Sequence, residues 1–450
     1  MITLDPPASR WRSLLDDGPS WRNGALTDIA RHAREQAGLP TDRPIVMTGH
    51  QPTFWHPGIL AKFLACRHAC EGLGAHSAWI VPDQDEVDPL HVRVPVFDAR
   101  DKLIVRQCAL GEAPLRGAAV SSLPAAEPDE TEAYATLDSV NEGLARIRGA
   151  LASHSGAPDL ARQTQGALAD LLVDRVGRVP TVYATDFHSL DVYNAMLDEM
   201  ERHPERLAHA YNSAVRANPD AGVNGLVANE VNDRWELPLW HVSDGEPRRR
   251  VYAEQLDDLP SESIVPRALS MTAIARAHLC DLFIHGTGGG LYDRLTEQWM
   301  EKWSGTRLAH AAIVSATLTL PLRDEQPTQE RVRQARSRAH ASRHNPEIVG
   351  DTSRGDAKRA LIERIESTKH QGGDPAELFH ALQELLSEHR EANAEAIERL
   401  ASAAPRPPPP REELPIVEDR TWAFPLHASA QIDALDECLA HQFQSCGASV

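Results

Sequence analysis

The sequence has no apolar run of about 18 residues, the minimum for a helix that spans a membrane. It has only six cysteines in 450 residues, of which Cys66 and Cys70 alone are close, at a spacing that fits one helix face better than a metal knuckle. The first residues, MITLDPPASRWRSLLDDG, lack the apolar core of a secretory signal. We therefore expect a cytoplasmic protein with reduced thiols and no membrane contact.

Basic residues are outnumbered, with 46 Lys and Arg against 65 Asp and Glu, for a net charge of −19. This acidity argues against nucleic acid as a partner, although a local basic pocket remains compatible with it. The sequence also lacks the G-x-S-x-G elbow, the HExxH helix and the GxxxxGK[ST] loop, which disfavours a serine hydrolase, a zincin and a P-loop enzyme. We expect a small-molecule substrate.

Short apolar runs alternate with helical patterns along most of the chain. The runs RPIVMTG, SAWIVPD, VPTVYATD and CDLFIHG predict strands, and a helix is predicted from Pro57, where proline suits a first turn. HVRVPVFDARDKLIVRQCAL alternates like a hairpin that turns at DARD, and the tail DRTWAFPL looks strand-like. This order predicts an α/β fold with a Rossmann-like, mostly parallel sheet.

Composition divides the chain further. We predict a polar lead-in over 1–42, a Rossmann-like core over 43–324 with a helical insertion at about 123–215, a helical hairpin or short coiled coil over 325–403, a proline-rich linker over 404–415, and a terminal segment over 416–450 that packs on the core. We also expect a homodimer that forms through the C-terminal helices.

The first candidate site is the corner TGHQPTFWHPG at the end of a predicted strand. Gly49, His50, Gln51 and His56 lie beside a helix start, where free N–H groups attract anions, and Lys62 could reach a phosphate. The alternative is a turn whose histidines are satisfied by backbone carbonyls, with Lys62 on a solvated face.

The second candidate is the acidic stretch WIVPDQDEVDPLH, which also follows a predicted strand. Asp83 and Asp85, with His91 beyond them, could bind Mg²⁺, hold a ribose or an amine, or act as a general base. A solvated acidic loop is an equally weighted alternative.

The third candidate is IHGTGGGLYD, the most specific local pattern, although its spacing does not match the GxGxxG dinucleotide fingerprint. Three glycines in a row between a strand and a helix permit close backbone approach to a ligand. The residues that we place in a site here are His285, Gly286, Gly288, Gly289, Gly290, Tyr292 and Asp293. Alternatively, Asp293 only complements the helix dipole.

The order of these pieces resembles the cysteine-adding enzyme family of bacillithiol synthesis. Gly49-His50-Gln51 stands where that family has a Gly-Gln-Gln turn, and Asp83-Gln84-Asp85 stands where it has Asp-His-Asp. The resemblance implies a Rossmann-like core with insertions, a C-terminal coiled coil, and the joining of cysteine to an amino sugar conjugate. PRALS, IHGTGGGLYD and RTWAFPLH also resemble a bacterial family for which we assign no activity.

These patterns favour a ligase or nucleotidyl-transferase-like enzyme, with His50, Asp83, Asp85 and His285 in catalytic roles and ATP or ADP with Mg²⁺ as the candidate cofactor. The alternatives are a non-catalytic metabolite-binding or scaffold protein and a metal-dependent hydrolase. In the enzyme hypothesis, His50 and His285 face each other across one pocket at the carboxyl ends of the strands.

Overall fold

The structure is a computed structural model that describes residues 1–22, 25–112, 114–130, 133–229, 231–232, 234–323, 329–402 and 411–444. Most of the predicted proline-rich linker, 404–410, and the last six residues of the predicted terminal segment, 445–450, lie outside the described residues.

The strands are β1 (Ile2–Asp5), β2 (Trp21–Arg22), β3 (Ala25–Leu26), β4 (Ile45–Gly49), β5 (His76–Val81), β6 (His91–Phe97), β7 (Leu103–Ala109), β8 (Thr181–Tyr183), β9 (Ala228–Asn229), β10 (Arg234–His241), β11 (Arg249–Tyr252), β12 (Ile264–Pro266), β13 (Leu282–His285) and β14 (His310–Ala316). The helices are α1 (Trp11–Asp16), α2 (Asp28–Gln36), α3 (Pro57–Leu73), α4 (Asp138–Ser153), α5 (Leu160–Val176), α6 (Asp191–Arg202), α7 (Pro204–Ala217), α8 (Ala268–Ile274), α9 (Gly289–Ser304), α10 (Gln329–Ser342), α11 (Thr352–His370), α12 (Ala376–Ala392), α13 (Ala394–Ser402), α14 (Leu414–Val417) and α15 (Ser429–Gln444).

The main sheet has the strand order β1-β14-β13-β4-β5-β8. All neighbouring pairs are parallel except β1 with β14, so the predicted α/β fold with a mostly parallel sheet is confirmed. The chain builds outward from β4 through β5 to β8 and then returns to the other side of β4 at β13. The strand order therefore reverses between β4 and β13, which defines a topological switch point.

Strand β4 and helix α3 form the centre of this architecture. Ile45, Val46 and Met47 are fully buried, as the apolar run predicts. Gly49 ends β4 where the neighbouring strand leaves no room, since a Cβ there would lie 2.0 Å from the carbonyl oxygen of Ile80. Helix α3 then starts with Pro57 in its first turn and ends at Gly74, whose φ of 66° is left-handed.

The structure differs from the prediction in the lead-in and in the tail. The lead-in supplies β1, which pairs with β14 at the sheet edge, and neither strand was predicted. The tail forms a 3₁₀ turn, Phe424–Leu426, in place of the predicted strand-like piece, because Pro425 cannot donate a ladder hydrogen bond. The strand predicted at VPTVYATD, inside the helical insertion, is present as β8 and joins the main sheet.

Residues 321–418 form a compact unit of their own, and Met1–Leu320 with the chain from Asp419 onward forms the other. Within the smaller unit, α11 packs on α12 and α10 packs on α13. His389 is buried there, with its Nε2 2.8 Å from the carbonyl oxygen of Ser342. In the larger unit, α15 packs on α3. No helix within the described ranges is long and apolar enough to cross a membrane.

Candidate functional site

The carboxyl edge of β4 and β13 brings two of the predicted corners together. Thr48 and Ile284 are register partners, and the Thr48 hydroxyl donates to the Ile284 carbonyl oxygen at 2.9 Å. His50 and His285 follow one or two positions later, so both lie at the same edge on neighbouring strands. Open α/β sheets place ligands at such an edge, next to the switch point.

Lys62 lies beneath this edge. The side chain is 3% exposed, and its Nζ donates to the carbonyl oxygen of Gly49 at 2.6 Å. Its Cδ is 3.8 Å from the point that a Cβ on Gly286 would occupy, so the lysine stem runs between the ends of β4 and β13. Burial lowers the pKa of Lys62 from 10.5 to about 7, because the charged form loses its hydration.

His50 is the next polar side chain at the edge. Burial, together with the charges of Lys62 and His56, lowers the pKa of His50 to about 3, against the raising effect of its hydrogen bond to the Gln51 carbonyl oxygen. The imidazole is therefore neutral at physiological pH and can donate or accept one hydrogen bond at each nitrogen according to its tautomer. Its ring lies edge-on to Trp55, with the centroids 6.3 Å apart.

His56 has a structural task that differs from the predicted anion site. Its Nδ1 accepts the Gly58 N–H at 3.1 Å, and its carbonyl oxygen accepts the N–H groups of Ile59 and Leu60 at 2.9 and 3.1 Å. Pro57 has no N–H, so His56 accepts from every backbone N–H group of the first turn of α3. The helix start is capped by the protein itself and is not an open anion cradle.

The glycine loop is likewise shaped by the protein's own packing. The N–H groups of Gly289 and Gly290 donate to the Gly286 carbonyl oxygen at 3.0 and 3.3 Å. A Cβ on Gly289 would lie 2.5 Å from Nδ1 of His285, whereas a Cβ on Gly288 would meet no described atom within 4 Å. Gly289 thus makes room for the His285 ring, and the predicted close approach of a ligand to the loop stays a prediction.

Asp293 belongs to a buried ion-pair cluster. Its Oδ1 lies 2.8 Å from His285 Nε2 and accepts from Arg276 Nη1, also at 2.8 Å. Arg276 is fully buried in a π-helical turn that continues α8, and it also donates to Glu297. The approach of His285 to Asp293 does not have the geometry of a hydrogen bond, so Arg276 is the partner that holds Asp293, while Tyr292 beside it is 44% exposed.

The acidic turn after β5 lies next to the β4 corner, because β5 and β4 are neighbours in the sheet. Asp83 is fully buried and accepts from the Thr185 N–H at 3.0 Å and the Thr185 hydroxyl at 2.5 Å. Burial raises the pKa of Asp83 to about 7, against the lowering effect of Thr185 and Arg162. Asp83 can therefore exchange a proton near neutral pH.

Asp85 connects the two turns. It accepts from Gln51 Nε2 at 3.0 Å and from Arg248 Nη1 at 3.0 Å. The Gln51 and Asp85 side chains therefore link the turn after β4 to the turn after β5. His91 lies elsewhere, at the start of the separate β6–β7 hairpin, with its Nδ1 3.0 Å from Asp88.

The cysteines pack as the helical spacing predicts. Cys66 and Cys70 are both buried on one face of α3, with their sulfur atoms 3.2 and 3.6 Å from the Ser77 hydroxyl. Hydrogen bonding to Cys66, together with burial, raises the pKa of the Cys70 thiol. Among the described residues, no three His, Cys, Asp or Glu side chains form a group that could hold a metal ion.

Several side chains of the site were not predicted. Arg162 lies 3.9 Å from Asp83 and comes from the first turn of α5, where the sequence gives no signal that the side chain reaches the turn after β5. Arg276 was not predicted either, because its partners Asp293 and Ala309 are brought to it only by the fold. Gln84 could have been predicted as a site residue, because it stands between two aspartates at a strand end, but it is not among the candidates above.

Comparisons with known proteins give little beyond this geometry. No family model and no curated protein matches the chain. Four solved chains match, among them the crystal structure of a parasite tRNA synthetase with bound product, which is 11% identical, covers 90% of this chain and 84% of its own, and has a TM-score of 0.25. A TM-score that low does not establish a shared fold.

Proposed function

We propose that the protein is a ligase or transferase that acts on a small polar metabolite at the β4–β13 switch point, where an anionic group of the substrate or nucleotide pairs with Lys62. The observation that carries this proposal is the buried Lys62 amino group, which is an ammonium in about half of the molecules near pH 7 and nearly all of them at lower pH. It can donate three hydrogen bonds, and the Gly49 carbonyl oxygen is the one hydrogen-bond acceptor found for it among the described residues. Buried cations are normally paired, so an anion would complete the site.

Two further groups suit the same chemistry, namely His50, whose pKa the charge of Lys62 helps to lower, and Asp83, which follows the neighbouring strand β5. The neutral His50 can donate a hydrogen bond without adding charge. Asp83, whose pKa is raised to about 7, can take a proton from an attacking amine or hydroxyl. In this proposal the site works by positioning and by stabilising the negative charge that develops in group transfer.

The candidate cosubstrate is ATP or ADP with Mg²⁺, which would enter with the nucleotide phosphates. The resemblance to the cysteine-adding family supports a finer proposal, in which the acceptor is a thiol or an amine. The two turns that carry the resemblance are joined by the hydrogen bond from Gln51 to Asp85. A non-catalytic metabolite-binding protein would use the same site, and turnover distinguishes it from an enzyme.

The proposal is tested by thermal shift with ATP, ADP and AMP in the presence of Mg²⁺. A ligand at a hundred times its dissociation constant stabilises the native state by about 2.7 kcal/mol. We expect a shift for at least one nucleotide in the wild type and in Lys302→Met, an exposed control, and no shift in Lys62→Met.

Turnover is then assayed with the nucleotide that binds, cysteine and an amino sugar. Product formation supports the ligase, and binding without turnover supports the non-catalytic alternative. An unchanged nucleotide shift in Lys62→Met would contradict the proposed site, as would the absence of any shift in the wild type.

A further inference from the structure

Three buried polar atoms at the turn after β5 have no hydrogen-bond partner in the described part of the protein. They are Nε2 and Oε1 of Gln84 and the hydroxyl oxygen of Ser121. Gln84 is fully buried. The Ser121 N–H donates to the carbonyl oxygen of Asp83 at 3.1 Å, so Ser121 lies beside the residue that precedes Gln84. Buried polar groups are nearly always paired, so this cluster needs an explanation.

The groups around Gln84 are already engaged. Both carboxylate oxygens of Asp83 accept from Thr185, and Asp85 accepts from Gln51 and Arg248. Arg248 Nη1 also donates to the carbonyl oxygen of Gln84 at 2.9 Å. The turn is therefore held in place from several sides, while the Gln84 carboxamide itself lacks partners.

We infer that the Gln84 carboxamide binds a planar neutral group that presents a donor and an acceptor side by side, and that this group is the adenine edge of the nucleotide. The inference rests on the proposed function, and it identifies Gln84 as the residue that recognises the base of the nucleotide. A carboxamide offers one donor and one acceptor side, which match N6–H and N7 of adenine.

Charge and position favour a base over a phosphate at this turn. Asp85 and the partly ionised Asp83 flank Gln84, and Arg248 pairs with Asp85, so the turn has little net positive charge to attract an anion. The turn follows β5, which lies next to β4, and neighbouring strands are ~4.8 Å apart. A base at Gln84 would therefore sit one strand away from a phosphate at Lys62.

The test is calorimetric titration of the full chain, with Mg²⁺, by three probes. These are ATP, purine riboside triphosphate, which lacks the N6 amino group, and inorganic tripolyphosphate, which lacks the base. We expect the wild type to bind ATP about tenfold more tightly than purine riboside triphosphate, since the latter leaves Gln84 Oε1 unpaired.

Gln84→Met removes the unpaired amide at nearly the same volume, and we expect it to fold and to bind ATP and purine riboside triphosphate equally. Its affinity for tripolyphosphate should stay at the wild-type value. Gln107→Met, on the exposed face of β7, is the matched control and should keep the tenfold discrimination.

Two results would overturn the inference about Gln84 without contradicting the proposed function. One is equal affinity of the wild type for ATP and purine riboside triphosphate, as expected if Gln84 and Ser121 only share a structural water. The other is unchanged discrimination in Gln84→Met. In both cases, weaker tripolyphosphate binding by Lys62→Met would leave the proposed function standing. Failure of all three probes to bind the wild type would contradict both.

Discussion

Replacing Lys62 with methionine is expected to make the protein more stable, by about 2 kcal/mol at pH 7, while it abolishes binding of the anionic ligand. The lowered pKa of about 7 corresponds to a burial cost of roughly 4 kcal/mol at this pH, relative to an unfolded chain in which the lysine is hydrated. Loss of the hydrogen bond to Gly49 offsets part of the gain, by about 1–3 kcal/mol.

The sign of the pH dependence follows from the lowered pKa. Between about pH 7 and the unfolded value of 10.5, the unfolded chain holds a proton that the folded chain does not. The stability contribution of wild-type Lys62 therefore rises with pH in this window, and the advantage of Lys62→Met shrinks towards pH 10. Below pH 7 the advantage stays at its maximum.

Denaturant unfolding of the wild type, Lys62→Met and the exposed control Lys302→Met at pH 7 and pH 10 measures these differences. The control should stay within about 0.5 kcal/mol of the wild type at both pH values. A Lys62→Met variant that is less stable than the wild type at pH 7 would show that the lysine stabilises the fold, and the argument for a binding role would lose its support.

Replacing Arg276 with methionine should lower the free energy of unfolding by about 3–5 kcal/mol, because it leaves Asp293 buried without its cation. Arg276 is fully buried, and its Nε also donates to the Ala309 carbonyl oxygen at 2.7 Å. The loss is a large share of the ~5–15 kcal/mol that a typical domain has. Denaturant unfolding gives the value directly.

Two further variants separate the ion pair from simple packing. Arg294→Met, on the exposed face of α9, should change stability by no more than about 0.5 kcal/mol. Arg276→Met combined with Asp293→Leu removes both charges and should recover most of the loss, since apolar pairs often replace buried ion pairs at little cost. An equal or greater loss in the double variant would contradict this account.

Local sequence patterns were sufficient to predict the core strands and α3. Apolar runs that end in glycine or aspartate predicted β4, β5 and β13, and Pro57 and Gly74 gave the limits of α3. The edge strand β1 and its neighbour β14 escaped prediction. β1 is short, and its pairing depends on a partner about 300 residues away. Such distant pairing leaves no local signal.

The site was predictable at the level of strand ends, and much less so at the level of contacts. His50 and His285 were expected at one edge, and their strands are adjacent. However, nothing in the sequence shows that His56 caps the helix that follows it or that Asp293 forms an ion pair with Arg276. The buried state of Lys62 also had no local signal, because only the fold places the second turn of α3 beneath Gly49.

The central claim is that Lys62 pairs with an anionic ligand, and proton uptake on binding tests it most directly. With a pKa of about 7, Lys62 is mostly neutral at pH 8, and an anion bound beside it would raise that pKa. Titration of ATP with Mg²⁺ at pH 8, in buffers of different ionisation enthalpy, should therefore show uptake of nearly one proton by the wild type. Binding without uptake, or equal uptake in Lys62→Met, would contradict the claim.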